Sequence, residues 1–265
     1  MMNGVRHFLL ALQFFTRIPV AGRLAAWVGY SPAMLNAASG HFPGVGWVVG
    51  AAGALALWGA AWAWGASPLG ALAAAGLCTA ATAWLTGAFH EDGLADTFDG
   101  LGGSAERGRA LAIMKDSRIG SYGTVALVLV LLLKVALLAL LVQRGVAGAA
   151  CALLAAHVLS RAAPLVVMRA LPYVSDPSGA KSRPLAEAVS AAGLWVGFLW
   201  SIPALALMGQ ALGAMNTMAA MLLWCAALVA MLRWLRRRLQ GFTGDTLGAT
   251  QQLCELALYL GLALA

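Results

Sequence analysis

The sequence predicts an all-α integral membrane protein with about seven transmembrane helices, a short N-terminal interfacial helix and a cytoplasmic N-terminus. Hydrophobic residues make up 62% of the 265 residues and charged residues only 10%, a composition typical of polytopic membrane proteins. Seven apolar runs are long enough to cross a hydrocarbon core of about 30 Å. Basic residues alternate between successive connections, which orients the spans. We expect a single polytopic membrane domain over residues 1–265.

The first helix is expected to lie on the membrane surface. Leu9, Leu12 and Phe15 mark one apolar face of the N-terminal segment, whereas Arg6 and Arg17 lie off that face. This distribution is typical of amphipathic interfacial helices. Because no convincing small-residue cleavage site follows the apolar run, a signal peptide is the less favoured interpretation.

The seven predicted spans follow in order, separated by polar connections. They are approximately residues 43–65, 68–89, 121–142, 146–169, 190–211, 214–232 and 245–265. Counted from the N-terminus, the successive connections contain 3, 0, 4, 1, 3, 0, 4 and 0 lysine and arginine residues. The positive-inside rule therefore places the N-terminus, segment 90–120, loop 170–188 and the basic patch 233–238 in the cytoplasm, and the C-terminus outside.

Acidic residues are concentrated in one segment after the second predicted span. No acidic residue precedes Glu91, and six of the ten in the protein lie between residues 91 and 116. Asp92, Asp96 and Asp99 are spaced i, i+4 and i+7, which places them on one face of a helix. Three like charges on one face repel each other unless a cation lies among them, and Mg²⁺ prefers oxygen ligands. The spacing therefore predicts a metal site.

Glycines, cations and hydroxyl groups follow the acids, in GLGGSAERGRALAIMKDSRIGSYG. Gly100, Gly102 and Gly103 are expected to end the acidic helix and to allow a ligand close to the backbone. The side chains suited to phosphate oxygens are those of Lys115, Ser117, Arg118 and Ser121. Metal ligands followed by phosphate donors indicate transfer of a phosphorus-containing group. The alternative is a solvated loop whose charges pair with one another.

A second polar pattern opens the last predicted span, in GFTGDTLGATQQLCELALYL. One helical face carries Asp245, Gly248, Ala249, Gln252 and Glu255. In the functional interpretation, this face lines the site from the side opposite the acidic helix. The alternative is a helix–helix contact through small residues, with Gln252 as a hydrogen-bonding partner.

Two basic residues lie inside predicted spans. Arg161 is eight residues from the inner end of its span, or about 12 Å, so it is expected to reach a cytoplasm-facing cavity. Lys134 is thirteen residues from the inner end of its span, or about 20 Å. We expect Lys134 to extend toward the outer face and to make no contact with substrate.

These motifs resemble those of cobalamin synthases, the adenosylcobinamide-GDP ribazoletransferase family. The most specific resemblance is in FHEDGLADTFDGLGG and IMKDSRIGSYG. QFFTRIPV, HVLSRAAPLV with LPYV, and GFTGDTLGATQQLCE are similar to further blocks of that family, in the same order. The resemblance implies a multi-pass inner-membrane enzyme with its active site facing the cytoplasm. It would join adenosylcobinamide-GDP to α-ribazole, or to α-ribazole 5′-phosphate, with Mg²⁺, and release adenosylcobalamin, or its phosphate, and GMP.

The resemblance and the polar patterns together imply roles for individual residues. The metal ligands would be Asp92, Asp96, Asp99 and Glu91. Charge on the phosphates would be stabilised by Lys115 and Arg118, and the candidates for a general base are Asp116 and Asp245. Further substrate contacts are expected from Gly102, Gly103, Ser117, Ser121, Arg161, Gln252 and Glu255.

The expected partners are these small molecules and membrane lipid, and association with other cobalamin-assembly enzymes stays open. Nucleic acid is not expected, because the net charge of +7 comes from basic residues dispersed in short loops.

Three other functions fit parts of the sequence less well. A CDP-alcohol phosphotransferase-like enzyme would share the Asp96-x-x-Asp99-Gly100 spacing, but other parts of that family's motif are missing. A prenyltransferase-like enzyme would need a second aspartate-rich motif, which Asp245 and Glu255 resemble poorly. A divalent-cation transporter would place its acids near the membrane midplane, whereas most acids here lie at the predicted cytoplasmic boundary.

Overall fold

Helices form nearly all of the regular structure in the computed structural model, which describes residues 2–65, 67–174 and 188–264. Within these ranges there is no β-strand, and the only bridge joins Tyr173 to Phe242. The all-α prediction is confirmed. In chain order the helices are α1 (Met2–Phe15), α2 (Gly22–Val28), α3 (Pro32–Ala38), α4 (Phe42–Trp64), α5 (Pro68–Thr86), α6 (Phe89–Gly103), α7 (Arg107–Met114), α8 (Ser121–Arg144), α9 (Val146–Ser160), α10 (Ala163–Ala170), α11 (Ala191–Leu212), α12 (Ala214–Arg238) and α13 (Gly244–Ala263).

Six helical segments of the described chain are long and apolar enough to cross a membrane. They are Pro32–Trp64, Pro68–Thr86, Ser121–Arg144, Val146–Ala170, Ala191–Leu212 and Ala214–Arg238. Each overlaps one of the first six predicted spans, although the first segment begins earlier, at Pro32. The multi-pass membrane character of the protein follows from these helices.

The seventh predicted span, 245–265, coincides with α13, which is not one of these six segments. Its interior face carries Gln251, Gln252 and Glu255, all buried by neighbouring helices. Burial inside the bundle allows a helix to be polar where a lipid-facing helix must be apolar. The far end of α13 accepts a 2.8 Å hydrogen bond from Arg144 of α8 to the Ala263 carbonyl. The helix thus runs the length of the bundle beside α8.

The N-terminal helix is present as α1, and it packs against α2, α3 and α4. Arg6 ties α1 to α2 through a 3.0 Å hydrogen bond to the Val28 carbonyl. At the other end of α1, the Phe15 ring stacks on His90 of α6, with 5.7 Å between the ring centroids. This contact places the C-terminal end of α1 beside the acidic helix.

The connections predicted to face the cytoplasm meet at one end of the bundle. Arg107 at the start of α7 donates a 2.7 Å hydrogen bond to the Leu239 carbonyl, just after α12. Phe242 exchanges backbone hydrogen bonds with Pro172 and Val174, both at 2.9 Å, at the start of loop 170–188. The rest of that loop, residues 175–187, lies outside the described residues. The described polar segments therefore converge around the acidic helix.

Candidate active site

The acidic segment forms α6, which begins at Phe89 after a left-handed turn at Ala88, where φ is 57°. The helix packs mainly on α13, α8 and α7, and its Phe98 ring contacts the Trp234 ring of α12, with 5.4 Å between the ring centroids. The three glycines expected to end the helix lie in its last turn. Gly102 and Gly103 are exposed there, and Gly102 packs against the Tyr122 side chain of α8.

Two motifs that are far apart in the sequence meet where α6 crosses the start of α13. Gly93 lies so close to Asp245 that a Cβ atom at position 93 would be 2.7 Å from the Asp245 carbonyl oxygen. Gly248, one turn further along α13, faces the backbone of His90 and Gly93. Small residues thus permit close packing of the two helices, as the helix–helix interpretation of the second pattern predicted.

The start of α13 is fixed by a capping box. The Thr243 hydroxyl accepts a hydrogen bond of 3.2 Å from the Thr246 amide, and the Thr246 hydroxyl accepts one of 2.9 Å from the Thr243 amide. Such reciprocal bonds satisfy backbone amides that have no partner within the helix. Asp245 is therefore held in the first turn, beside the acidic helix.

This packing produces a cluster of carboxylates, which we call the acidic cluster: Asp92 and Asp96 of α6 and Asp245 of α13. Asp92 is exposed, and the other two are half-buried. Burial and then the neighbouring carboxylates, of which Asp245 has the largest effect, raise the pKa of Asp96 to about 7. A cation among these groups would relieve the repulsion. The start of α13 can therefore line the site opposite α6, as the functional interpretation predicts, and also pack closely against α6.

The acidic cluster suits a metal ion that is shared with a substrate. In the part of the chain that the structure describes, no three His, Cys, Asp or Glu side chains are arranged to hold a metal by themselves. Mg²⁺ is usually bound by one or two carboxylates together with substrate phosphates and water. Asp92 and Asp96 can supply that pair of carboxylates. The donor set therefore fits Mg²⁺ bound with a phosphate-containing substrate.

Asp99, the third of the aspartates that share one face of α6, has a different environment. It is 7% exposed. One carboxylate oxygen accepts a 2.7 Å hydrogen bond from the Gly120 amide and the other a 2.8 Å bond from the Gly123 amide. Asp99 thus holds the start of α8, whereas Asp92 and Asp96 face the start of α13.

Glu91 points away from the acidic cluster into the bundle. It is buried, and its carboxylate accepts a 3.0 Å hydrogen bond from Gln252 of α13. Arg161 of the segment that links α9 and α10 lies within electrostatic range of Glu91. The structure therefore does not bring Glu91 together with the other predicted metal ligands, and Gln252 joins α13 to α6 as the helix–helix interpretation predicted.

The predicted phosphate-binding side chains lie on the connection between α7 and α8 and at the first residue of α8. Lys115, Ser117, Arg118 and Ser121 are all exposed. Arg118 forms an exposed 2.6 Å ion pair with Asp116, and its hydrogen bonds lower the pKa of Asp116 to about 2. A carboxylate with so low a pKa is a poor proton acceptor, so Asp245 is the better of the two candidates for a general base.

A buried polar network crosses the middle of the bundle. The Lys134 ammonium of α8 is 2.7 Å from the Glu255 carboxylate of α13, and both side chains are at most 3% exposed. Glu255 also accepts hydrogen bonds from Gln251, at 2.7 Å, and Tyr259, at 3.1 Å. The prediction that Lys134 extends toward the outer face is wrong. A buried carboxylate at the same depth offers it a partner, which outweighs extension toward water.

Arg161 also belongs to the interior. It is 3% exposed, and it donates a 2.8 Å hydrogen bond to the His157 carbonyl while its Nε atom has no partner among the described residues. Gln251 links this segment to the network through a 2.9 Å bond to Ser160. The sequence analysis did not predict this network. Two signals pointed to it: Gln251, Glu255 and Tyr259 are spaced i, i+4 and i+8 on one helical face, and Lys134 is predicted at a depth similar to that of Glu255.

The fold and the site define a polytopic helical membrane protein whose polar and acidic segments gather at one end of the bundle. Within that class, the chain belongs to the cobalamin-5-phosphate synthase family, whose model matches residues 7–263. It is accordingly a cobalamin synthase-type enzyme, and the resemblance seen in its motifs is confirmed.

Curated relatives align over almost the whole chain. An adenosylcobinamide-GDP ribazoletransferase of Albidiferax ferrireducens is 55% identical, with 99% of each chain covered. One of Polaromonas naphthalenivorans is 54% identical over the full length of both chains. A protein of the same name from Shewanella amazonensis is 44% identical, covering 97% of this chain and 94% of the relative. A comparison with solved structures gives no significant match.

Proposed function

We propose that this protein is a Mg²⁺-dependent adenosylcobinamide-GDP ribazoletransferase. It would join adenosylcobinamide-GDP to α-ribazole, or to its 5′-phosphate, and release GMP. Family membership and the full-length relatives support the reaction. The observation that carries the site assignment is the meeting of Asp92 and Asp96 with Asp245, because transfer from a diphosphate to a hydroxyl needs a cation for the phosphates and an acceptor for the hydroxyl proton at one place.

The reaction replaces one phosphorus–oxygen bond by another. A ribazole hydroxyl oxygen bonds to the phosphorus atom that carries the cobinamide, the bond from that phosphorus to the bridging oxygen breaks, and GMP leaves with that oxygen. The hydroxyl proton passes to a base, for which Asp245 is placed beside the acidic helix. Lys115 and Arg118 would stabilise charge on the phosphate oxygens. Mg²⁺ held by Asp92 and Asp96 would neutralise negative charge on the diphosphate.

Release of GMP is the direct test of this function. Purified protein given adenosylcobinamide-GDP and α-ribazole should produce GMP and adenosylcobalamin in equal amounts, and only with Mg²⁺ present. Omitting α-ribazole should suppress GMP release, because the hydroxyl is the attacking group. GMP release that needs no α-ribazole would indicate a hydrolase and contradict the proposal. Equal turnover in excess chelator would contradict the proposed dependence on Mg²⁺.

We further propose that the acidic cluster faces the cytoplasm of an inner-membrane protein. The supporting pattern is the alternation of basic residues between connections. In a cysteine-free background, a cysteine at Ser104 should be labelled by an impermeant maleimide only from the cytoplasmic side. A cysteine at Gln143, exposed near the opposite end of α8, should be labelled only from outside. Labelling of both positions from one side would contradict this orientation.

A further inference from the structure

The start of α8 is docked on the acidic helix by one side chain, Asp99. Its two carboxylate oxygens accept the Gly120 and Gly123 amides at 2.7 and 2.8 Å. Gly120 is the N-cap residue of α8 and Gly123 lies in its first turn, where backbone N–H groups lack partners within the helix and a negative charge is favourable. Each oxygen of Asp99 therefore already makes a charge-assisted hydrogen bond.

The packing around Asp99 admits no side chain at the two docked positions. A Cβ atom at Gly120 or at Gly123 would collide with the Asp99 carboxylate. The carboxylate is covered by these glycines and is 7% exposed, whereas Asp92 is exposed and Asp96 half-buried. The helical spacing of the three aspartates thus conceals two different environments.

The docked turn fixes the end of the segment that carries the cationic side chains. Lys115 and Arg118 lie two to five residues before Gly120, on the exposed connection between α7 and α8. Because the Gly120 and Gly123 amides donate to Asp99, they are not free to bind a substrate phosphate. The side chains of this connection would make those contacts instead. Displacing the turn would displace those side chains relative to Asp92 and Asp96.

We infer that Asp99 is a positioning residue that docks the Lys115–Arg118 connection beside the metal site, and that it does not itself bind the metal ion. The inference rests on the proposed function, since it assigns the connection to the phosphates of adenosylcobinamide-GDP. Of the three aspartates on this face of α6, Asp92 and Asp96 would then bind the metal, and Asp99 would act through the backbone at the start of α8.

Two substitutions test the inference from opposite sides of the contact. Asp99→Ala removes the acceptor, and Gly123→Ser adds a side chain that collides with it while leaving every carboxylate in place. Both variants should raise the KM for adenosylcobinamide-GDP by about tenfold or more, the effect of losing a hydrogen bond to a charged group. Mn²⁺ binding, measured by electron paramagnetic resonance at saturating adenosylcobinamide-GDP, should be unchanged in both. Asp96→Asn is the matched control and should lose Mn²⁺ binding.

Hydrogen exchange supplies a readout that does not depend on turnover. Peptides covering residues 115–125 should exchange faster in Asp99→Ala and Gly123→Ser than in the wild type, with no change in peptides from α9. Loss of Mn²⁺ binding in Asp99→Ala, or unaltered exchange and KM in both variants, would overturn the inference. If Asp99→Ala does not fold, Gly123→Ser decides the result. Absence of GMP release from the wild type would instead refute the proposed function, and the exchange and Mn²⁺ results would still decide the role of Asp99.

Discussion

Asp92→Asn and Asp96→Asn are each expected to reduce ribazole transfer by at least about two orders of magnitude, or about 2.7 kcal/mol in the activation barrier. Asparagine keeps the shape of the side chain but removes the negative charge that a hard cation requires. Asp92 is exposed and Asp96 half-buried, so neither change leaves a cavity in the core. The measurement is the rate of GMP release at matched amounts of folded protein.

The control for these variants is Glu106→Gln, which removes a carboxylate from the same segment. Glu106 is exposed at the start of α7, and its side chain forms no capping hydrogen bond. Transfer by Glu106→Gln should equal that of the wild type. Near-normal turnover in both Asp92→Asn and Asp96→Asn would contradict the assignment of the metal to the acidic cluster, as would an equal loss in the control.

Lys134→Met is expected to destabilise the protein by roughly 3–5 kcal/mol, the cost of breaking a buried ion pair by removing one partner. The substitution leaves Glu255, which is 1% exposed, without its cation in the middle of the bundle. The measurement is unfolding of the detergent-solubilised protein by heat or denaturant. The position of Lys134 along its span, taken alone, gives the opposite expectation: the side chain would extend toward the outer face, and methionine would be tolerated there.

The double variant Lys134→Met/Glu255→Met provides the control for charge. Replacing both partners of a buried ion pair by apolar groups of similar volume is often close to neutral. The double variant should therefore be more stable than Lys134→Met alone, even though it carries one more substitution. Equal stability of Lys134→Met and the wild type would show that the ion pair does not hold α8 and α13 together.

The helical membrane architecture was predictable because it depends on local features of the sequence. Apolar runs of sufficient length specify spans without reference to the rest of the chain, and the first six predicted spans agree with the six apolar helical segments. The helix at 244–263 was also predicted. The sequence does not show that this helix is enclosed by other helices, which is what allows it to carry Gln251, Gln252 and Glu255 on its interior face.

The candidate site was predictable in its residue types but only partly in its geometry. Helical periodicity places Asp92, Asp96 and Asp99 on one stripe, yet it does not show which neighbouring helix each one faces. That depends on Gly93, which admits α13, and on the first turn of α8, which takes Asp99. The prediction for Lys134 is wrong for the same reason, because its partner Glu255 is 121 residues away in the sequence.

In the proposed site, Asp92 and Asp96 of α6 bind the metal, and Asp245, from a distant motif, accepts the proton beside them. Mn²⁺ binding at saturating adenosylcobinamide-GDP, without α-ribazole, tests this assignment most directly in the wild type, Asp92→Asn and Asp245→Asn. We expect one bound Mn²⁺ per chain in the wild type and in Asp245→Asn, which should nevertheless fail to release GMP when α-ribazole is added. Asp92→Asn should bind none. Full Mn²⁺ binding by Asp92→Asn would contradict the account.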